Sequence, residues 1–449
     1  MITDTAHFAA PDARRIRGKN LSLLTASHAM DNAESSVTTV LFPLMRDALG
    51  LSATALGTIV AVGKIVGAVA GIPWVFLARR YPRTRVLAVC AGFWGVWAMA
   101  AGLSTGFGQF VILYGIAAAG FAGAGPIALG MVGDIYDDNH RGRATGLFYA
   151  GVALTTGVAA PLFGRLSGFA NGWRYGFFIS GGLCVLVGVL ILAFLDDPVR
   201  ERHSAPAPDH RARTIYDGLR ELFAVRTFRY ILVQRLLSGQ NVIMSFGVVF
   251  LVQDRGFTTA TASVIALPFA IGYVLGTLAG GRMIDRVHQA YPRGGRIAML
   301  QASQLAFAGI AFLGTQLAWH SIGVYVAIFA VVGLLQGQVP VVNRPLIMAV
   351  VSPQLRPLAF AVSVSMADAI AYGAYALLTG MLGDAIGLQG ALLVVTVLLT
   401  AVNGVASALL YRPYARDSAA ITTRLPSGQG RRAPFLNHHP ISEVPNHEQ

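Results

Sequence analysis

Twelve runs of about 20 largely apolar residues, separated by short polar breaks, constrain this chain more than any other feature. A run of that length spans the hydrocarbon of a bilayer as a helix, and only helices or closed barrels satisfy their backbone hydrogen bonds there without water. The runs lie near 21–45, 56–78, 86–105, 109–132, 145–166, 175–195, 228–252, 261–283, 297–319, 321–343, 358–381 and 388–411. Charged residues make up 12% of the chain, about half the share of an ordinary soluble domain, too few to cover a water-exposed surface. The predicted fold class is therefore an all-α integral membrane protein with twelve transmembrane helices.

The formal charge of +13 does not point to nucleic acid, because the basic residues alternate with apolar runs instead of clustering on one face. Their distribution encodes topology. With the N-terminus inside, 28 Lys or Arg fall on cytoplasmic segments and four, Arg46, Arg165, Arg174 and Arg255, on external loops. The excess of inside positive charge predicts a multi-pass cell-membrane protein with both termini cytoplasmic. The first 20 residues are polar and carry Arg14, Arg15, Arg17 and Lys19, which reads as a tail before a retained first helix. Cys90 and Cys184 lie within apolar runs, which argues for packing residues over a disulfide or a metal site.

The breaks divide the chain into a tail (1–20), a six-helix bundle (21–195), a cytoplasmic linker (196–227), a second six-helix bundle (228–411) and a disordered cytoplasmic tail (412–449). Ile215, Leu219, Leu222 and Phe223 share one face of a helix within the linker, a pattern suited to the membrane surface. The halves repeat each other. Gly67 to Gly71 followed by Tyr81-Pro82-Arg83 matches Gly276 to Gly280 followed by Tyr291-Pro292-Arg293, and Arg141 with Ala144 matches Arg356 with Ala359. Parallel repeats of this kind enclose a central cavity near the bilayer midplane.

One loop carries a recognisable signature. Gly281-Arg-Met-Ile-Asp285-Arg286, followed by Arg293 and Arg296, sits between the eighth and ninth helices. It resembles the Gly-x-x-x-Asp-Arg loop of the major facilitator superfamily, and the resemblance extends over all twelve helices. Asp134 with Arg141-Gly142-Arg143-Ala144, and Trp173-Arg174, are similar to further stretches of that family. The resemblance implies a cytoplasmic latch formed by Gly281, Asp285, Arg286, Arg141 and Arg143. The equivalent loop after the second helix has Arg79 about where the family's acid stands. Gly157, Pro161 and Gly164 resemble part of an exporter motif in the fifth helix. Lysolipid exporters of the Spinster type tend to carry charges in the fourth helix, where this chain has Tyr114 and Phe121.

Ionisable residues inside a membrane cost about 2.5–3.5 kcal/mol each on insertion scales and mark function or pairing. Asp31 and Glu34 share a stripe of the first helix with His28, Ser35 and Thr38. Lys64, Arg235 and Asp368 lie within the second, seventh and eleventh helices. Depth along the helices makes Glu34–Lys64 and Arg235–Asp368 candidate pairs. Two acids facing one lysine leave a carboxylate in excess, the chemistry that carries a proton, so Asp31 and Glu34 are the predicted proton-coupling residues. His28, Lys64, Arg235, Gln240, Asn241, Gln336 and Asp368 are the predicted charge partners or cavity residues. Gln336 and Gln338 cannot share a face, and Pro340 is expected to interrupt its helix.

These features predict a secondary transporter of the alternating-access type, with proton-coupled export of an amphipathic compound as the leading reading. Proton-coupled uptake of an organic anion is the alternative. One charge crossing about 100 mV supplies roughly 2.3 kcal/mol, enough for a gradient somewhat under a hundredfold. An enzyme is not expected, since no His-Glu-x-x-His, Gly-x-Ser-x-Gly or phosphate-binding loop occurs. A receptor that has lost transport is the remaining reading of another class. The expected partners are a small-molecule substrate, protons and the lipid bilayer, for a monomer without cofactor or metal.

Overall fold

The computed structural model describes residues 10–136, 138–196, 215–292, 294–352 and 355–424, and their regular structure is entirely helical. Among the described residues, ten helices are long and apolar enough to cross a membrane. The last of them, Leu358–Ala420, turns at Gly387, whose φ of +81° favours glycine, and so supplies two crossings. The 40-residue helix Ala10–Leu49 completes twelve. In chain order, α1 is Ala10–Leu49, α2 Ala53–Arg80, α3 Arg83–Gly102, α4 Phe107–Ile135, α5 Arg143–Gly168 and α6 Gly172–Phe194. The second half comprises α7 Arg226–Gln253, α8 Thr259–Ala290, α9 Gly295–Gln316, α10 Ile322–Val350, and α11 and α12 before and after Gly387.

Helix ends depart from the sequence expectation where polar contacts extend them beyond the apolar runs. The tail ahead of residue 21 is helical from Ala10, and Lys19 pairs with Asp196 at 2.8 Å. Tyr136 donates to the Arg17 carbonyl at 3.1 Å. At the other end, the expected disordered tail starts as a helix, Tyr411–Arg424, anchored by Asp417 accepting from the Thr227 hydroxyl at 2.6 Å. Residues 425–449 lie outside the described residues. The linker helix is present as Ile215–Ala224, but its Leu222 is fully buried and its Gly218 lies against Leu355 and Leu358. Part of the expected membrane-facing stripe therefore packs on protein, while Phe223 and Tyr216 are exposed.

Small residues set the helix spacing. A Cβ on Gly92 would stand 2.3 Å from the Gly188 Cα, so α3 and α6 touch through bare backbone. The same device joins the two halves at the end of the bundle away from the termini. A Cβ on Gly57 of α2 would lie 2.5 Å from the Ala376 carbonyl of α11, and one on Gly380 would lie 2.5 Å from the Ala53 carbonyl. Gly164 of α5 abuts Ser263 of α8 in the same way.

This closed end also has a polar clasp. The Asp384 carboxylate, beyond the packed part of α11, accepts from the backbone N–H groups of Ala53 at 2.8 Å and Thr54 at 3.0 Å. It thereby caps α2 from the opposite half, offsetting unsatisfied N–H groups and the positive end of the helix dipole. Losing such a cap costs about 0.5–2 kcal/mol. Asp384→Ala is accordingly expected to lower the closed-to-open ratio at this end roughly fivefold, read by double electron–electron resonance between spin labels on α2 and α11. An unchanged distance distribution counts against the clasp.

Candidate functional site: a central cavity and a separate polar pocket

With one end closed between the halves, the other encloses a cavity of about 830 Å³. Its wall runs along α2 from Val60 at depth to Phe76 and Arg79 in the final turns, so it opens toward the end that carries the termini. The N-terminal half contributes α1, α2, α4 and α5, and the C-terminal half contributes Met244 and Ser245 of α7 with Ala361 to Tyr372 of α11. The volume lies within the range of pockets for small organic molecules.

Lys64 is exposed on this wall, and its Nζ stands 4.9 Å from the centre of the Tyr372 ring across the interface between the halves. The Tyr372 hydroxyl is fixed by Ser245 Oγ at 2.7 Å. A lysine over an aromatic face keeps its charge available to a ligand, because the ring quadrupole attracts the cation without neutralising it. Among the described residues Lys64 meets no carboxylate, so the expected Glu34–Lys64 ion pair is absent from this conformation. The two helices do adjoin the same cavity, but Lys64 reaches across it to α11. Glu34 is buried to 2% exposure and lines the cavity with Ser35 and Thr38. The side chain of Asp31 lies outside the described residues. His28 lines the wall toward the mouth, near Gly125 of α4, stacked on Phe148 with ring planes 1° apart and centroids 5.7 Å apart.

Arg79, which replaces the expected acid after α2, belongs to the cavity mouth, 5.8 Å from the Phe76 ring. It adds a second cation to the cavity lining. The neighbouring Arg83 instead pairs with Asp134 at 2.5 Å within the same half. On the symmetry-related loop Asp285 and Arg286 are exposed, as is Arg143, and no ion pair joins them among the described residues. Gly281 sits beside them on α8, and the Arg141 side chain lies outside the described residues.

Arg235, Gln240, Asn241, Gln336 and Asp368 leave the cavity altogether. They line a second pocket of about 120 Å³ inside the C-terminal half, with Gln234, Ser238, Tyr273 and Asn343. Arg235 is ion-paired with Asp368 and donates from Nε to the Ser363 carbonyl at 2.9 Å. Helix α7 is broken here: Arg226–Leu236 ends, and a 3-10 turn at Gly239–Asn241 precedes Val242. Gln336 donates to Asn241 at 2.7 Å, whereas Gln338 accepts from Ser303 of α9 at 2.7 Å, so the two glutamines face different helices. Helix α10 runs unbroken through Pro340, contrary to the expected interruption. The proline removes only the donor to the Gln336 carbonyl, and packing against α8 and α9 holds the helix.

Tyr372, Ser245 and Arg79 were not among the predicted cavity residues. An aromatic or a serine in an apolar run ordinarily signals helix packing, and Arg79 read as a loop charge. The one available signal was spacing, since Tyr372 follows Asp368 by one helical turn.

Two six-helix halves that meet at one end and part around a central cavity at the other define a membrane transporter of the alternating-access type. The profile described as Major Facilitator Superfamily matches residues 24–300 and 235–443, and the chain belongs to that family. The family is one of transporters, not of enzymes. Among curated relatives, an MFS-type efflux pump of Mycolicibacterium smegmatis is 30% identical over 56% of this chain and 58% of its own length. The 3-(3-hydroxy-phenyl)propionate transporter of Escherichia coli is 25% identical over 50% of this chain and 54% of its own. Protein spinster of Drosophila melanogaster is 26% identical over 34% of this chain and 25% of its own. The chain thus spans a quarter to under three-fifths of the length of these three relatives. The fold is similar to that of a bacterial homologue of the human lysosomal transporter Spinster in an inward-facing, unoccupied conformation. The TM-score is 0.73 at 19% identity, over 91% of this chain and 98% of that one. A D-xylose–proton symporter scores 0.70 at 14% identity, over 89% and 98%.

Proposed function

We propose that this protein is a proton-coupled secondary transporter whose central cavity takes a small amphipathic organic anion. The observation that carries the reading is Lys64, exposed in the cavity over the Tyr372 ring and ion-paired with no carboxylate among the described residues. An unneutralised base in a largely apolar cavity offers a charged hydrogen-bond donor to one end of a ligand and a nonpolar wall to its body. Arg79 at the mouth raises the local concentration of anions before they enter. The cavity chemistry thus moves preference from export of an amphipathic compound of unspecified charge to the organic-anion alternative. Several relatives carry names of organic acids, among them hydroxyphenylpropionate and hexuronate, while another is an efflux pump.

In this reading Glu34 carries the proton. It is buried beside the cavity on the half opposite Tyr372, where its charge state would respond to an anion arriving at Lys64. The basic-residue count makes the termini-bearing face cytoplasmic, so the open cavity is the inward-facing state. The symmetry-related loop with Gly281, Asp285 and Arg286 would re-form its latch when that face closes.

Proteoliposomes holding a trapped pH dye test the coupling. Addition of arylalkanoates or sugar acids is expected to move protons with wild type and not with Glu34→Gln, while counterflow of labelled substrate persists in the mutant. Proton flux unchanged in Glu34→Gln removes Glu34 from the coupling. Applying substrate and the pH gradient from each side in turn reads the direction of transport.

A further inference from the structure

The pocket around Arg235 and Asp368 is too small for the substrate and has a different chemistry. Its roughly 120 Å³ equals the share of about four water molecules, well below the few hundred Å³ of an organic ligand site. The Arg235 guanidinium is engaged by one oxygen of Asp368, Oδ2, and by the Ser363 carbonyl. The rest of the polar lining is uncharged, made of amides with the Ser238 and Tyr273 hydroxyls. Gln234 Oε1, Gln240 Oε1, Gln336 Oε1 and Asn343 Oδ1 are all buried acceptors without a hydrogen-bond donor, on side chains at most 5% exposed. The orientation of Gln336 is set by its amide N–H, which donates to Asn241, so the atom left without a partner is its oxygen. Four such orphans in one place are a large departure from the usual satisfaction of buried polar groups.

The backbone adds to the same imbalance. The first segment of α7 ends at Leu236 beside the pocket, presenting the negative end of its dipole, and Pro340 deprives the Gln336 carbonyl of its helical donor. Broken helices whose carbonyl ends face a polar pocket are suited to coordinating small cations. Amide oxygens with one carboxylate match the hard-oxygen preference of an alkali ion.

We infer that this pocket is a sodium-binding site, with the side-chain oxygens of Gln234, Gln240, Gln336 and Asn343 and the Asp368 carboxylate as its candidate ligands. The site is separate from the substrate cavity, but Asp368 lies one turn before Tyr372 on α11. An ion held there steadies the helix that presents Tyr372 to Lys64.

The test is a binding measurement that does not depend on transport. Purified protein is melted at constant ionic strength in NaCl, KCl or choline chloride. A ligand that binds only the folded state raises Tm in proportion to its occupancy. Wild type is expected to melt several degrees higher in saturating NaCl than in choline chloride, with a half-maximal effect at millimolar Na⁺ and a smaller effect of K⁺. Gln240→Leu and Asn343→Leu are expected to fold and to lose most of the sodium-specific shift, while Lys64→Gln keeps it. Equal Tm values in the three salts, or a sodium shift unchanged in both leucine variants, overturn the assignment. Because Lys64 and Glu34 are not involved, failure here leaves the anion reading standing, and failure of that reading leaves this one standing.

Discussion

Lys64→Gln is expected to weaken binding of anionic substrates by roughly ten- to a hundredfold. A hydrogen bond to a charged group contributes about 1.5–3 kcal/mol, and each 1.4 kcal/mol is a factor of ten. The upper part of that range applies at Lys64, because the cavity wall around it is mostly apolar and its partner is an aromatic face. Lys64→Arg keeps the charge and is expected to retain much of the affinity. The glutamine variant keeps much of the side-chain length while removing the charge. Equilibrium binding of labelled arylalkanoates to purified protein measures the effect directly. Equal affinity in wild type and Lys64→Gln, or a gain for lipophilic cations in wild type over anions, contradicts the anion reading.

Gly57→Val is expected to abolish most transport by a different route. The added Cβ would stand 2.5 Å from the Ala376 carbonyl and 2.9 Å from the Leu377 Cα, both backbone atoms that cannot rotate away. Overpacking of this kind costs about 1–3 kcal/mol, and here the cost falls on the state in which α2 and α11 touch. The equilibrium moves toward the conformation with that end open by roughly five- to a hundredfold or more. A cysteine at Ser365, on the cavity wall, should then react more slowly with a membrane-impermeant maleimide applied from the termini-bearing side. Cys90 and Cys184 are both buried and do not compete. Gly108→Ala, with no atom near its Cβ, is the control and should leave labelling unchanged. Faster labelling in Gly57→Val would mean that the glycine contact does not close this end.

The two variants separate the roles of the interface. Lys64 acts where the halves part and a ligand sits, and Gly57 acts where they meet and exclude it. The same helices, α2 and α11, contribute to both, so closure and substrate binding share one pair of rigid elements. The Asp384 clasp adds to the closed end without touching the cavity.

Much of this architecture was legible before any coordinates. Hydrophobic runs, basic-residue placement and the internal repeat are one-dimensional records of solvent, since lipid selects the composition of each segment independently of its neighbours. They determined the helical class, the twelve crossings, the two halves and the place of a cavity between them. The Arg235–Asp368 pair was also within reach, because depth along each helix follows from the residue number and the rise per residue. Rotation about the helix axis was not. Lys64 turns toward Tyr372 and not Glu34, and Gln240, Asn241 and Gln336 turn into a pocket of their own, because packing fixes which face of each helix meets which neighbour. Close approaches such as Gly57 on Ala376 set those rotations, and they join residues far apart in the chain whose sequence neighbourhoods carry no mark of each other. The sequence by itself determined what the bilayer imposes, segment by segment; tertiary structure alone decided which charges share a cavity, as pairing energies depend on distances that only packing defines.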